Sequence, residues 1–477
     1  MPTTIQFGTD GWRALIAEDY TFDNVRIAAQ ATAQAFIQEG KAERRIVVGF
    51  DTRFASDRFA RAVVEVLAAN GVKVLLSDRF QPTPVISYSV IDKEAGGAII
   101  ITSSHNPASY NGFKVKSDVG ASASPELVAV IEQQIEAIEA AGGLSAVRRM
   151  PFAEAVAKGL VEAFDATPAY DAQIARLVDL PRLRDAGFNV VADAMFGTGM
   201  GYFKRLLAGG RTTVHEIRAE INPSFPGIAP EPIRPHIDEL SRVVREMGAD
   251  VGLATDGDSD RIGAVTGDGT FVNQHQVFGL LLLYLMDQRG LRGPAVRSVT
   301  MTSMGDAYAQ RLGQEVIETA VGFKFVGNTM VERNAVVGGE ESGGFGFSGH
   351  IPERDAIVAG LYLLDLMVRL GTPMSGAMDY LRQQLGDWYY HRVDVSFPPD
   401  QRQAILERVG AARPNELSGS PVASVGTKDG YKFYAQDGSW LLIRFSGTEP
   451  LLRIYTETTS QERVARILDQ GRRIAGV

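Results

Sequence analysis

Three times along the chain, a short apolar run leads into an amphipathic helix and returns as a second apolar run. Ile46 to Asp51 is the first run. A helix capped at Ser56 follows, with Phe59, Val63, Val66 and Leu67 on one face; Gly71 ends it and Val72 to Leu76 forms the returning strand. The order recurs at Phe188 to Asp193, with a Gly-rich turn, a helix from about Met200 to Leu207 and a strand over Thr212 to Ile217. It recurs again at Val296 to Met301, with a helix over Asp306 to Leu312 and a strand over Glu315 to Thr319. Strands joined through a helix pair in parallel, and parallel sheets need helices on their faces, so the pattern specifies α/β domains. The intervals of about 100–140 residues suggest three related domains, although no residue-level repeat accompanies them. Length agrees: 477 residues are too many for one core, which stops growing near ~250–300 residues, and about three domains are expected.

The end of the chain reads differently. Tyr431 to Phe445 alternates apolar and polar residues across Asp437-Gly438, a hairpin signal. Leu452 to Thr456 forms a third strand, and Thr459-Ser-Gln-Glu462 opens a final helix with capping-box spacing. This predicts a smaller α+β domain. Linkers are expected around Gly142 to Pro151, Thr266 to Thr270 and Gly386 to Pro399.

Composition narrows the function classes. With 45% hydrophobic and 22% charged residues, the chain has the apolar surface a disordered sequence lacks. The absence of cysteine excludes disulfides, zinc–thiolate sites, iron–sulfur clusters and thiol nucleophiles. None of the six histidines forms an H-E-x-x-H pair. A balance of 48 basic against 57 acidic residues, net −9, argues against a nucleic-acid partner, but allows a small anion held by a local basic cluster. The segment Met1 to Asp10 lacks the basic head and apolar run of a signal peptide. The longest apolar run, Val277 to Met286, is ten residues long, short of the ~18 that span a bilayer. A cytoplasmic protein without membrane contact is expected, and the sequence carries no reading of oligomeric state. The 50 glycines imply tight turns or loops whose backbone approaches a ligand closely.

Five loops carry chemistry. Thr255-Asp256-Gly257-Asp258-Ser259-Asp260-Arg261 follows the apolar run Val251 to Ala254. Carboxylates at i, i+2 and i+4 after a strand converge on one hard cation, Mg²⁺, Mn²⁺ or Ca²⁺. An EF-hand is excluded because its sixth and twelfth places hold Arg261 and Gly267; an acidic surface turn is the weaker alternative, since three alternating Asp beside an Arg at a strand end favour metal binding. Thr102-Ser103-Ser104-His105-Asn106-Pro107 follows the run Ala98 to Ile101. It is placed like a nucleophile loop without G-x-S-x-G, or it is a Ser/Thr turn ended by Asn-Pro. Phe7-Gly8-Thr9-Asp10-Gly11-Trp12-Arg13 is Gly-rich but has neither Walker nor dinucleotide spacing. Gly338-Gly339-Glu340-Glu341-Ser342-Gly343-Gly344 offers acceptors for sugar hydroxyls, or is a solvated loop. Arg444-Phe-Ser446-Gly447-Thr448-Glu-Pro450 offers a guanidinium, two hydroxyls and backbone N–H groups as a phosphate nest, or is an ordinary strand-to-turn transition. Lys114 and Lys324, taken singly, belong to solvent.

In this order the five motifs resemble the α-D-phosphohexomutase superfamily, the phosphoglucomutases and phosphomannomutases, over the whole chain. The resemblance implies four domains around a central cleft: three related α/β domains with mixed sheets, over 1–148, 149–267 and 268–386, and a smaller C-terminal α+β domain over 387–477. It implies that Ser104 is a phosphoserine, and that Asp256, Asp258 and Asp260 hold one Mg²⁺ per chain together with a phosphoserine oxygen. Arg13, Arg261, His105 and Lys114 match positions lining the reaction centre. Lys114 is the leading general acid/base, a role that needs a lowered pKa. Glu340 and Ser342 would bind sugar hydroxyls, Lys324 would contact substrate phosphate, and Arg444, Ser446, Gly447 and Thr448 would hold the phosphate not being transferred. The implied partner is a hexose phosphate, with glucose 1,6-bisphosphate as intermediate and activator.

The pair Glu340-Glu341 and the Gly322-Phe323-Lys324 loop resemble the glucomutase form, which implies exchange of glucose 1-phosphate and glucose 6-phosphate. A phosphomannomutase and a phosphoglucosamine mutase are the nearest alternatives; a non-catalytic, Ca²⁺-dependent sugar-phosphate binding protein is the alternative from another class. Two positions depart from the family pattern: Asp355-Ala356 stands where Asp-Gly is common, and Ser103 where a smaller residue is common.

Overall fold

The apolar runs form strands, and their neighbours show how the sheets are completed. The computed structural model of the protein describes residues 5–8, 10–446 and 451–477. Among the described residues, four sheets follow along the chain, of six, five, four and six strands. In the first, Ile46–Phe50 lies between Val74–Ser77 and Gly97–Ile101 and is parallel to both. Tyr110–Lys116 and Trp12–Leu15 continue antiparallel on one side, and Val161–Phe164 adds in parallel at the other edge. In the second, Asn189–Asp193 is parallel to Thr213–Ile217 and Val251–Thr255; Ile262–Thr266 and Phe271–Val272 follow antiparallel. In the third, Ala295–Ser298 is parallel to Val316–Thr319 and Val337–Gly339, and Phe345–Phe347 closes the sheet antiparallel. Each of these sheets is mixed. Their central strands are buried on both faces because helices such as Ser56–Ala69 cover them.

The fourth sheet is wholly antiparallel. Tyr389–Ser396, Leu451–Thr458, Trp440–Phe445, Tyr431–Ala435, Ser420–Gly426 and Glu416–Leu417 lie side by side. Helices Arg402–Ala411 and Gln461–Ala475 cover it through Ile405, Val409, Val464, Ile467 and Leu468.

The long apolar run Val277 to Met286 is buried in helix Gln274–Leu283 and the π-helical turn after it. One core joins this helix to Ala356–Leu370, Met374–Leu385 and, in the second domain, Tyr170, Phe203 and Leu253. No single described helix is long and apolar enough to cross a membrane.

Several boundaries differ from expectation. Val161–Phe164 belongs to the first sheet although it lies past 148, because it pairs with Val74–Ser77. Thr266 to Thr270 is the turn of a hairpin within the second sheet, not a linker. The stretch Gly386 to Pro399 contains the strand Tyr389–Ser396, paired along its length with Leu451–Thr458. Ala55, with φ 57°, occupies the cap position expected for Ser56, whose Oγ instead donates to Asp51 Oδ1 at 2.7 Å. The last helix is capped at Ser460 without a side-chain bond, because the preceding strand runs on to Thr458. A capping box forms instead at Asn273 and Gln276.

Leu281 is fully buried in the core that joins the second and third domains. Leu281→Ala should cost about 2–5 kcal/mol, read as an earlier urea transition; an unchanged transition would contradict a shared core.

Candidate active site

Ligands of α/β domains gather at the carboxyl ends of the strands, and two such ends meet here. The Thr102–Pro107 loop leaves Gly97–Ile101, and the Asp256–Arg261 loop leaves Val251–Thr255. Ser104 sits at φ 50°, in the left-handed region that a serine rarely adopts. Its N–H donates to Thr102 Oγ1 at 2.9 Å, and its hydroxyl donates to Asp256 Oδ2 at 2.7 Å. The approach depends on Gly257: a Cβ there would lie 2.4 Å from the Ser104 carbonyl oxygen.

Arg53 holds the serine loop from beneath. It is buried, pairs with Asp51, and donates to the carbonyls of Ser104 and Asn106 at 2.6 Å, Pro107 at 2.9 Å and Tyr110 at 3.1 Å. A fork of five N–H donors suits this task. Arg13 steadies the same loop by donating to Asn106 Oδ1 at 2.7 Å.

The three aspartates are fully buried, with one ligand oxygen from each lying within 4.8 Å of the others. Asp256 Oδ1 accepts from the backbone N–H groups of Asp260 at 2.9 Å and Arg261 at 3.0 Å. Asp258 Oδ2 accepts from Lys114 at 2.8 Å and Thr83 Oγ1 at 2.6 Å. Asp260 Oδ2 accepts from Lys114 at 3.1 Å and pairs with Arg354 at 2.8 Å. The other oxygens of Asp258 and Asp260, both Oδ1, are buried without a hydrogen-bond partner. Orphaned carboxylate oxygens in a dry pocket are costly; an oxygen-ligating hard cation would satisfy them, so the residues fit one. The titration of the cluster agrees. Burial, then Asp260 and Asp258, push Asp256 well above the usual carboxylate range. Burial also raises Asp260, against Arg354. Asp258 goes the other way: burial opposes the shift, but Lys114, Thr83 and Arg354 together outweigh it.

Lys114 departs from expectation. Its buried ammonium lies 2.9 Å from Asp10, 2.8 Å from Asp258 and 3.1 Å from Asp260. Burial disfavours its charge, yet the three carboxylates hold its pKa above the ordinary value. The lowered pKa expected of a base is absent, and Lys114 stands as a charged donor. His105 Nδ1 is 3.4 Å from Ser104 Oγ, and burial, then Arg261 and Arg13, keep the ring neutral by pushing its pKa well down. Arg261 pairs with Glu231 at 3.3 Å.

Sequence reasoning missed the clamp beneath this cluster. Arg354 reaches Asp10 at 2.6 Å, Asp260 at 2.8 Å, Glu340 at 3.1 Å and Glu353 at 3.2 Å, so one guanidinium joins three domains. Lys116 pairs with Glu353 at 2.5 Å beside it. The available signals were Asp10 inside the first motif and Glu353-Arg354 following the sugar-binding loop.

The rest of the predicted site lies apart. Ser342 Oγ donates to Glu340 Oε1 at 2.6 Å, which keeps these two groups together. Glu341 accepts from Tyr390 Oη at 2.6 Å and Arg392 at 3.3 Å on the first C-terminal strand. Arg444 donates through Nε to Asp429 at 2.8 Å, and the Ser446 N–H donates to Leu451 O at 2.8 Å. Lys324 lies in the first turn of helix Phe323–Arg333, its Nζ 5.3 Å from the Phe325 ring centre. Gly447 and Thr448 lie outside the described residues. The structure thus gathers Ser104, His105, Lys114, Arg13, Arg261 and the aspartates, joins Glu340 and Ser342 to them through Arg354, and leaves Lys324 and Arg444 on separate elements.

Four domain families described as phosphoglucomutase/phosphomannomutase match in order: α/β/α domain I over 4–142, domain II over 168–269, domain III over 273–384 and the C-terminal domain over 393–474. The chain belongs to the phosphoglucomutase/phosphomannomutase family. It is therefore an enzyme, an intramolecular phosphotransferase acting on hexose phosphates, which sets aside the non-catalytic binding protein. A phosphoglucomutase/phosphomannomutase from Thermococcus kodakarensis is 29% identical over 98% of this chain and 97% of its own. A protein from Methanothermobacter thermautotrophicus, provisionally named a phosphoglucosamine mutase, is 28% identical over 98% and 96%. The crystal structure of a candidate phosphomannomutase from Thermus thermophilus superposes with a TM-score of 0.85 and 32% identity over 100% of both chains. The names of these phosphohexomutases differ in the hexose.

A methyl group at position 257 would separate the serine and aspartate loops. Gly257→Ala should lower kcat by roughly 100-fold and also lower the thermal midpoint, since the backbone at Ser104 has to give way; a wild-type rate and midpoint would contradict the close approach.

Proposed function

We propose that the protein interconverts glucose 1-phosphate and glucose 6-phosphate through a phosphoserine at Ser104. Mg²⁺ would be held by Asp256, Asp258, Asp260 and a phosphoserine oxygen. Glucose 1,6-bisphosphate is the bound intermediate and activator. The observation that carries the reading is the buried Ser104 hydroxyl, 2.7 Å from an aspartate of the three-carboxylate cluster. When bound, the metal supplies Lewis-acid neutralisation of the phosphoryl charge.

The residues around Ser104 supply the rest. In the first half-reaction a sugar hydroxyl oxygen bonds to phosphorus as the bond to Ser104 Oγ breaks, and the hydroxyl proton ends on Oγ. Lys114, Arg13 and Arg261 line this centre with fixed positive charge, which stabilises charge developing on the transferred group. The second half-reaction is the reverse with the other phosphate, so the sugar must be accepted in two orientations. Glu340 and Ser342 would bind ring hydroxyls that recur in both. Arg444, Ser446, Gly447, Thr448 and Lys324 would hold whichever phosphate is not reacting. Glu340-Glu341-Ser342 supports glucose, because it resembles the glucomutase form of the sugar-binding loop.

The test is a panel of glucose, mannose and glucosamine 1-phosphates with Mg²⁺ and glucose 1,6-bisphosphate present. The expected kcat/KM for glucose 1-phosphate exceeds the others by about tenfold or more. Chelation should remove activity, and Ser104→Ala should reduce it to background. A higher kcat/KM for mannose or glucosamine 1-phosphate would reassign the substrate, and full activity in Ser104→Ala would exclude the phosphoserine route.

A further inference from the structure

The proposed distal phosphate site raises a geometric problem that its own ligands do not solve. Arg444 lies on Trp440–Phe445 in the C-terminal sheet, whereas Lys324 and the sugar-binding loop belong to the third domain. A guanidinium that recognises phosphate must be fixed in both plane and distance relative to the rest of the cleft. Asp429, in the turn between Ser420–Gly426 and Tyr431–Ala435, is placed to do this. Its Oδ1 accepts from Arg444 Nε at 2.8 Å. Its Oδ2 accepts from the backbone N–H of Val321 at 3.0 Å, across the boundary in the third domain. Val321 immediately precedes Gly322, which caps the helix carrying Lys324.

The turn itself is held firmly. Gly430 has φ 94°, and a Cβ there would lie 2.6 Å from Ile443 O and 3.1 Å from the Arg444 Cα, so the turn is pressed against the strand that carries Arg444. On the other side Lys428 donates to the Glu318 carbonyl at 2.5 Å, and the buried Lys432 donates to Glu318 Oε2 at 2.8 Å and Val299 O at 2.7 Å. Asp429 therefore stands between two anchored surfaces, with one oxygen committed to each.

We propose that Asp429 is a positioning residue that anchors Arg444 to the third domain and so sets its place at the phosphate-binding end of the cleft. The proposal rests on the reading of Arg444 as a phosphate ligand. Asp429 does not touch the substrate; it acts through Arg444. Losing the carboxylate removes a charge-assisted bond to the guanidinium and the link to Val321 together. Binding of the non-reacting phosphate is needed in the ground state and the transition state alike, so its loss falls on KM rather than kcat.

The experiment compares Asp429→Asn, Asp429→Ala, Arg444→Ala and the double alanine variant in the full chain, using whichever of the three hexose 1-phosphates turns over fastest. Asp429→Asn keeps the side-chain shape and serves if the alanine variant unfolds. The expected result is a KM raised about tenfold or more in Asp429→Asn, with kcat within about threefold of wild type. Once Arg444 is gone, Asp429 has nothing to position, so the double variant should match Arg444→Ala within about twofold. An unchanged KM in Asp429→Asn while Arg444→Ala raises KM overturns the proposal and leaves the phosphate reading standing. So does a double variant whose losses multiply. An unchanged KM in Arg444→Ala overturns the phosphate reading, and the proposal with it.

Discussion

Lys114 lies buried against Asp10, Asp258 and Asp260, one carboxylate from its own domain and two from the next. Arg354, from a third domain, shares Asp10 and Asp260 with it. Lys114, Asp258, Asp260 and Arg354 are buried and Asp10 nearly so, and each depends on the others: removing one partner of such a network costs about 3–5 kcal/mol, because the remainder is left uncompensated. The network also fixes the distance between the serine loop and the aspartate loop. Its carboxylates are incompletely satisfied: Asp258 Oδ1 and Asp260 Oδ1 accept no hydrogen bond, and the latter has only Arg261 Nε at 3.8 Å. A site built this way fits the cation and the phosphoryl group that the proposed mechanism would bring together there.

The fold separates two demands of the chemistry. The proposed reacting centre is assembled from strand ends of the first two sheets, braced by Arg53 and tightened by Gly257. The far end is contributed by an antiparallel sheet that meets the third domain through an apolar cluster, Val299 and Val321 against Trp440, Leu442 and Tyr455, and through polar contacts that include Glu341 with Tyr390, Lys432 with Glu318, and Asp429 with Val321. A reacting end on the first two sheets and a phosphate-binding end on the fourth would suit the proposed bisphosphate intermediate, which has to present either phosphate to Ser104.

Much of this was legible in the sequence because fully buried parallel strands read as apolar runs, and because ligand loops follow such strands directly. Ile46–Phe50, Gly97–Ile101 and Val251–Thr255 were visible for that reason. Edge strands were not. Val161–Phe164 and Tyr389–Ser396 contain no buried residue, and without a buried apolar run they looked like the start of a domain and a linker. The three aspartates were legible because they lie close together in the chain. Arg354 was not, since it meets Asp10 across 344 positions of sequence. The charge state of Lys114 was illegible for the same reason: its partners come from residues 10, 258 and 260, and only tertiary structure shows that carboxylates outweigh burial.

The most direct measurement follows a labelled phosphoryl group. The protein is incubated with glucose 1,6-bisphosphate isotopically labelled in both phosphates, then digested and mapped by mass spectrometry before and after a chase with unlabelled hexose 1-phosphate. The structure predicts label on Ser104 alone, lost to sugar phosphate as fast as the enzyme turns over. Steady turnover with no label on Ser104, or with label on the neighbouring Ser103, would contradict a reaction centred where the serine and aspartate loops meet.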